Sequence, residues 1–211
     1  MASDPDFELL ERWRGGDRGA GNALVTKYFD AVRRYFVNAV SDDERKDLTN
    51  ETFRRLMDAM ERFDGRSSVR TFLYRIASNV LNDHLRRRYR RSDRGFDPLT
   101  HTVEDVEGAT PSQAVEKLQR YRQLVALLRA LPVELKQLME LFYWHGCTAS
   151  ELAEIYEIEP TTVRTRLHAA RERIKKGLLE GASAASEAEG GELDESLHAV
   201  GLLLAQGPGA L

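Results

Sequence analysis

Residues 148–176, TASELAEIYEIEPTTVRTRLHAARERIKK, contain the strongest structural signal in the C-terminal half of the chain. Thr148 and Glu151 have the spacing of a capping box, which predicts the start of a short helix. Pro160 cannot continue that helix, because its ring fixes φ and it has no N–H to donate. One of the two threonines that follow is expected to cap a second helix. Two short helices joined by a tight turn form a helix-turn-helix.

The second predicted helix divides into an apolar face and a cationic ridge at 100° per residue. The apolar face consists of Val163, Leu167, Ala170 and Ile174. The ridge consists of Arg164, His168, Arg171 and Lys175, and Arg166 belongs to the same basic cluster. An α-helix fits the major groove of DNA, where an arginine can donate two hydrogen bonds to guanine and Thr165 can contact a base edge. A merely solvated basic face is the alternative, but the capped helix and turn before it favour DNA binding.

Charge is distributed unevenly along the 211 residues. The 31 Lys and Arg against 34 Asp and Glu give a net charge of −3, yet residues 177–211 contain six acidic side chains and no Lys or Arg. The positive charge concentrates between Arg86 and Arg94 and again between Arg164 and Lys176. Two separated basic clusters indicate a polyanion that the chain contacts at two places.

Apolar residues recur at helical spacing almost throughout, and no period-two run of β-branched residues predicts a strand. Between 92 and 113 this pattern gives way to Gly, Pro, Thr and acidic residues, which is typical of a linker. We therefore predict an all-α protein of two small helical domains joined by a flexible linker, with the helix-turn-helix in the second. The predicted boundaries are 1–94 for the first domain, 95–114 for the linker, 115–180 for the second domain and 181–211 for an acidic C-terminal extension.

Three apolar stripes in the first domain predict three helices that bury one another as a bundle. The first stripe covers 24–40 and includes Phe29. The second covers 53–63 and includes Met57, and a third helix is expected to open near Thr71.

The third of these helices also carries a polar edge opposite its apolar stripe. The edge residues lie at i, i+4, i+7 and i+11, and they are Arg75, Asn79, Asn82 and Arg86. The arginine run from Arg86 through Arg87 to Arg91 suits phosphate oxygens, and it exceeds the two arginines that a helix dipole would satisfy. The polar loop before the helix can cradle an unstacked base. Its candidate residues are Asp64, Gly65, Arg66 and Ser67.

Two blocks of sequence resemble the extracytoplasmic-function (ECF) sigma factors of bacterial RNA polymerase. The segments that resemble region 2 of that family are DLTNETF (47–53), FDGRSSVRTFLYRIASN (63–79) and DHLRRR (83–88). The segments that resemble region 4 are ELAEI (151–155) and TVRTRLHAAR (162–171). The blocks stand in the family's order, with a linker where the family has one.

The resemblance implies promoter recognition and transcription initiation through three surfaces. Residues that match the surface for core RNA polymerase are Asp47, Asn50, Glu51 and Arg54. The loop 64–68 resembles the pocket for a flipped base of the minus-ten element's non-template strand, flanked by Asn79, Asp83 and Arg86. Arg164, Thr165 and His168 match positions that contact the minus-thirty-five element. The implied partners are core RNA polymerase and promoter DNA, both duplex and unwound, with an anti-sigma factor as a further kind of partner.

Two other classes of function stay open. An ordinary helix-turn-helix transcription regulator would bind its operator without core polymerase. An enzyme would need a catalytic group or metal ligands, but the five His are scattered and the single Cys147 cannot build a thiolate site. We therefore expect no catalytic residue, no metal and no cofactor.

The chain is also expected to have no membrane contact and to be cytoplasmic. No window approaches the roughly 18 to 20 apolar residues of a membrane span, and residues 1–7 are acidic where a secretory signal is basic. The extension is expected to be an acidic tether with a short helix at 197–204. Folding back on a basic cluster, docking elsewhere and disorder all stay open for it.

Overall fold

A computed structural model describes residues 4–89, 116–181 and 190–205. Every regular element in these three ranges is helical, which confirms the predicted all-α class. The predicted linker, 95–114, lies outside the described residues, and so does the basic run beyond residue 89.

The helices follow one another in two groups on either side of residues 90–115. The first group is α1 (Pro5–Arg14), α2 (Arg18–Tyr35), α3 (Asp42–Ala59), a short 3-10 turn (Met60–Arg62) and α4 (Val69–Arg88). The second group is α5 (Glu116–Arg129), α6 (Val133–Tyr143), α7 (Ala149–Tyr156), α8 (Pro160–Gly181) and α9 (Gly190–Ala205).

Contacts between Cα atoms divide the chain into two compact units. The first unit contains α1 to α4 together with α7, and the second contains α5, α6, α8 and α9. The predicted domain boundaries, which follow the chain in order, stay a prediction.

The core of the first unit lies where α2, α3 and α4 meet, as the three apolar stripes predict. Its fully buried side chains include Leu24, Val32, Leu56, Leu73, Leu81 and Leu85. Helix α3 opens with a capping box in which the N–H of Ser41 donates to Glu44 Oε2 at 3.1 Å. Helix α4 opens at Val69, slightly earlier than expected, because Ser68 Oγ accepts the N–H of Thr71 at 3.1 Å.

Helix α1 has no counterpart in the sequence prediction. Asp4 caps it, with Oδ1 accepting the N–H of Asp6 at 3.0 Å, and a proline occupies its first turn. The helix attaches to α2 through a buried carboxylate, since Asp6 accepts bonds from Lys27 Nζ at 2.5 Å and from Tyr28 Oη at 2.5 Å. Burial and the neighbouring Asp6 raise the pKa of Tyr28. A polar attachment of this kind leaves no long apolar stripe in the sequence.

The turn between α7 and α8 is tight, as predicted, but it uses different residues. Glu157 adopts a left-handed φ of 55°, and the N–H of Ile158 donates to the carbonyl of Ala153 at 3.0 Å. This is the bond of a Schellman motif, in which glycine is more usual. The expectation that a threonine caps α8 is wrong. Pro160 is the first residue of α8, where its missing N–H and fixed φ cost nothing.

In the second unit, α8 and α9 both pack on α5 and α6. Helix α9 begins at Gly190, well before the predicted start at 197. Leu193, Leu197 and Val200 are buried, so α9 is a docked helix.

We predict that Leu10→Ala lowers the free energy of unfolding by about 2–5 kcal/mol, because Leu10 is fully buried on α1 and its truncation leaves a cavity. Leu9→Ala on the same helix is the matched control, since Leu9 is only half-buried and should cost less. Urea unfolding followed by circular dichroism measures both. Equal costs for the two variants would contradict the burial of α1.

Candidate nucleic-acid and polymerase interfaces

Helix α3 presents the residues predicted to contact core polymerase along one ridge. Asp47, Asn50 and Arg54 are exposed, and Glu51 is half-buried among them. Spacings of three and four residues place all four on the same side of a helix. The ridge therefore exists as a surface of the first unit, and its partner stays a prediction.

Glu51 pairs with two arginines, one of which, Arg54, belongs to this ridge. Its carboxylate accepts bonds from Arg54 Nε at 2.7 Å and from Arg55 Nε at 2.8 Å. These two guanidinium groups lower the pKa of Glu51 to about 2. The carboxylate thus keeps its charge far below neutral pH.

Arg55 also connects α3 to α4. Its Nη1 donates to Asp83 Oδ2 at 2.7 Å, while its Nε is held by Glu51. Next to Asp83 on α4, His84 Nε2 lies 3.1 Å from Glu44 Oε1. Asp83 of α4, which is predicted to flank the base pocket, therefore forms an ion pair with α3.

Two side chains that the sequence analysis assigned to core stripes lie at the surface instead. Met57 is 51% exposed on α3, and Phe29 is 36% exposed on α2, where its ring stacks at 6.1 Å on Phe53. Their assignment to the core is wrong, because helical spacing marks an apolar stripe without showing how far the next helix covers it. Both add exposed apolar area to the first unit, and Met57 lies one turn after Arg54.

The polar edge of α4 faces solvent as predicted. Exposed side chains along it are Arg75, Asn79, Arg86 and Arg87, while Asn82 is half-buried. Within the first unit, Arg75 pairs with Glu157, which follows α7. Buried residues on the opposite side, including Leu73, Ala77 and Leu81, fix which side of α4 turns outward.

In the loop before α4, residues 64–68, the charged side chains are exposed and the backbone at Gly65 lies against an aromatic ring. Gly65 takes a left-handed φ of 74°, and Asp64 Oδ1 accepts the N–H of Arg66 at 3.2 Å. Asp64 and Arg66 also form an exposed ion pair at 2.7 Å, and Ser67 is half-buried. A Cβ added to Gly65 would lie 3.1 Å from the ring of Phe7.

Helix α1, which the sequence analysis missed, supplies that aromatic ring. Phe7 lies 6.0 Å from Phe63, and Phe63 stacks on Phe72 at 4.5 Å between ring centroids. Arg14 Nη2 donates to the carbonyl of Phe63 at 2.8 Å and also to that of Met60. On α1, Phe7 and Arg14 lie two helical turns apart, and Asp4-Pro5 precedes them as a helix-start signal. This pattern could have revealed the helix in the sequence.

Helix α8 exposes the beginning of its predicted ridge. Arg164, Thr165 and His168 are exposed, and Thr165 Oγ1 donates to the carbonyl of Thr161 at 3.0 Å. The predicted apolar face is buried, which confirms its orientation; it consists of Val163, Leu167, Ala170 and Ile174.

Three further cations of α8, all predicted to bind DNA, are engaged within the protein. Arg166 pairs with Glu134 of α6, and Lys175 Nζ lies 3.2 Å from Glu172 Oε1. Arg171 Nε donates to Tyr143 Oη at 2.6 Å. The role of these three residues in DNA binding stays a prediction. The exposed part of the ridge lies at the start of α8.

The sequence analysis predicts neither a metal site nor a membrane-spanning helix. In the part of the chain that the structure describes, no group of three or more His, Cys, Asp or Glu side chains could hold a metal ion. None of the helices in the described ranges is long and apolar enough to cross a membrane.

The family model described as ECF sigma factor matches residues 7–180. The chain belongs to the ECF sigma factor family. Among the relatives of this ECF sigma factor is the RNA polymerase sigma-H factor of Pseudomonas aeruginosa, 30% identical over 187 residues that cover 84% of this chain and 96% of the relative. The ECF RNA polymerase sigma-E factor of Haemophilus influenzae is 31% identical over 179 residues, covering 81% and 93% respectively.

Two solved structures resemble the fold of this ECF sigma factor. One is the structure of CnrH in complex with the cytosolic domain of CnrY, with a TM-score of 0.60 and 20% identity over 85% of this chain and 100% of that chain. The other is the sigma factor RpoE in complex with the anti-sigma factor NepR from Bartonella quintana, with a TM-score of 0.57 and 18% identity over 75% and 96%. At these identities the likeness concerns the fold.

We expect Glu51→Gln to reduce the loss of stability on acidification. The pKa of Glu51 is about 2 in the folded chain against an ordinary 4.5, so its ion pairs contribute stability above pH 4.5 that is lost as the pH falls toward 2. Urea unfolding of wild type and variant across this window measures the difference. The variant should lose less stability than the wild type, and added salt should shrink the gap. Parallel losses would contradict the pairing of Glu51 with Arg54 and Arg55.

Proposed function

We propose that this chain is a sigma factor that directs bacterial RNA polymerase to promoters and starts DNA-templated transcription. The observation that carries the proposal is the family match over 7–180, which includes both basic helices, α4 and α8. Each helix has a buried apolar side and an exposed cationic side. Two such helices suit one DNA partner that is contacted at two places.

Helix α8 is proposed to bind the duplex of the minus-thirty-five element. The exposed side chains of Arg164, Thr165 and His168 lie near its beginning, and the N-terminal residues of a recognition helix are those that meet base edges. Arg164 can donate two hydrogen bonds to guanine. Arg166 is less suited to this role because Glu134 neutralises it.

The loop 64–68 and the edge of α4 are proposed to bind the unwound non-template strand of the minus-ten element. A flipped base needs a rigid polar pocket, and the aromatic cluster of Phe7, Phe63 and Phe72 supports the loop from below. Asn79 offers hydrogen bonds to base edges, while Arg86 and Arg87 suit phosphates. Unwinding and capture would then take place on one surface.

The ridge of α3 is proposed to bind core RNA polymerase. It combines charged and amide groups with the exposed apolar side chain of Met57, and stable protein interfaces typically have an apolar centre with a polar rim. Within the ridge, Glu51 already engages Arg54 before a partner binds.

The remaining expectations follow from this role. The chain is proposed to act in the cytoplasm, to have no catalytic activity of its own and to need no metal or cofactor. An anti-sigma factor is proposed as a further partner, since one of the two similar structures is a complex of a sigma factor with an anti-sigma factor. The two predicted domains, 1–94 and 115–180, are proposed to be the parts that contact the two promoter elements.

Co-elution with core RNA polymerase tests the proposal. The full chain should elute with purified core enzyme and support initiation on a library of genomic fragments. Asp47→Lys should weaken co-elution, because it reverses an exposed charge on the α3 ridge, whereas Glu8→Lys reverses an exposed charge on α1 and should not. Tight binding to DNA without polymerase would favour the alternative, a helix-turn-helix regulator. Failure to co-elute and to initiate on any template would overturn the proposal.

Arg164→Ala should weaken promoter binding by the holoenzyme by roughly 1–3 kcal/mol if Arg164 reads a base. The loss should be specific to promoters with the preferred base and absent on others. Arg173→Ala is the matched control, because Arg173 is exposed on the opposite side of α8. Competition binding at several salt concentrations measures both, since phosphate contacts show as a change of about 0.9 in the salt slope each. An equal loss on every sequence would make Arg164 a phosphate contact.

A further inference from the structure

Helix α9 covers a face of the second unit and lies beyond the segment that matches the family. The family match ends at residue 180, and α9 begins at Gly190. The helix packs on α5 and α6 through Leu193, Leu197 and Val200, which are all buried. These residues lie at i, i+4 and i+7, so one apolar stripe attaches α9 over two turns.

Directional contacts at the end of α6 fix the position of α9. The indole Nε1 of Trp144 donates to the carbonyl of Leu197 at 2.8 Å. A Cβ added to Gly201 would collide with Cδ1 of the same indole, so only glycine permits this approach. The ring of His198 meets that of Tyr143 edge-on at 4.9 Å. The helix is therefore seated in one register.

The same seating places an acidic side chain of α9 on a cation of α8. Tyr143 Oη donates to Asp194 Oδ1 at 2.5 Å and accepts the bond from Arg171 Nε at 2.6 Å. Arg171 Nε lies 3.3 Å from Asp194 Oδ1. Burial and the hydrogen bond to Asp194 raise the pKa of Tyr143 to about 12, so this hydroxyl stays protonated and continues to donate.

Arg171 belongs to the ridge that is proposed to face DNA. It lies seven residues after Arg164, two turns along the same side of α8, at the distance where a helix in the major groove meets the flanking phosphates. In the docked arrangement its guanidinium is held by Asp194 and Tyr143 and lies over the Phe142 ring at 5.7 Å. A phosphate would have to replace Asp194.

We propose that α9 is an autoinhibitory helix, which withholds Arg171 from DNA phosphates through Asp194 and must loosen for α8 to bind duplex DNA fully. The proposal rests on the proposed function, since it takes α8 as the duplex-binding helix. Residues 177–211 contain six acidic residues and no Lys or Arg. Their negative charge repels a polyanion and so also opposes DNA binding. Linkage makes the effect mutual: DNA that competes for Arg171 weakens the docking of α9 by the same factor.

The docking itself can be measured without DNA or polymerase. In a Trp13→Phe background, Trp144 is the only tryptophan, and its emission reports whether Leu197 still covers the indole. Gly201→Ala should shift that emission to the red, because the added methyl group collides with the indole ring. Since alanine has a higher helix propensity than glycine, weakening of the helix itself would not explain the shift. Glu195→Ala is the matched control, since it raises helix propensity at an exposed position. An unshifted Gly201→Ala would overturn the docking.

The effect on DNA binding is measured by fluorescence anisotropy of a short mixed-sequence duplex with the full chain, across a KCl titration. Asp194→Asn should tighten binding about fivefold or more and steepen the salt slope by about 0.9, the signature of one additional phosphate contact. Glu195→Gln removes the same charge from an exposed neighbour and should change binding much less. In an Arg171→Ala background, Asp194→Asn should have no effect beyond that of Glu195→Gln.

The outcomes separate this inference from the proposed function. A gain in duplex affinity from Asp194→Asn that depends on Arg171, together with a red shift of Trp144 emission in Gly201→Ala, supports autoinhibition. Equal effects of Asp194→Asn and Glu195→Gln, or a gain that persists without Arg171, overturn it even where the wild type initiates transcription with core polymerase. Loss of initiation on every template overturns the proposed function, whereas the duplex and tryptophan measurements would still decide the role of α9.

Discussion

Both basic helices, α4 and α8, have one buried apolar side and one exposed charged side. In α4 and α8, apolar side chains recur at spacings of three and four, so burial against neighbouring helices orients the cations toward solvent. Leu73, Ala77 and Leu81 do this for α4, as Val163 and Leu167 do for α8. The hydrophobic effect thus determines which side of each helix carries the charges. Packing therefore orients the basic sides of α4 and α8 that are proposed to bind DNA.

Local ion pairs then decide which of those cations remain available. Arg164 stays exposed, while Glu134 engages Arg166 and the Asp194–Tyr143 pair engages Arg171. Charge counted along the sequence therefore overstates the cationic surface of α8. The same distinction holds in the first unit, where Arg55 is occupied by Glu51 and Asp83 while Arg86 and Arg87 face solvent.

The sequence predicted the helical class, the two faces of α8 and the polar edge of α4, because each depends on a periodicity that persists over several turns. It missed α1, whose attachment includes a buried Asp6 paired with Lys27 and Tyr28. It assigned Met57 to the core, because the spacing of apolar residues along one helix does not show how much of that helix its neighbour covers. It left the docking of α9 open, because the contact of Gly201 with Trp144 joins residues that are distant in the chain. Properties within one element, and the mutual burial of the three longest stripes, were predictable, whereas the specific contacts that place α1 and α9 were not.

The aromatic support beneath Gly65 has a practical consequence for work with this protein. Phe7 belongs to a ten-residue helix at the beginning of the described chain, yet it bears on the loop before α4. Loss of α1 would remove Phe7 from beneath Gly65, so a shortened N-terminus would change a loop that is remote from it along the chain.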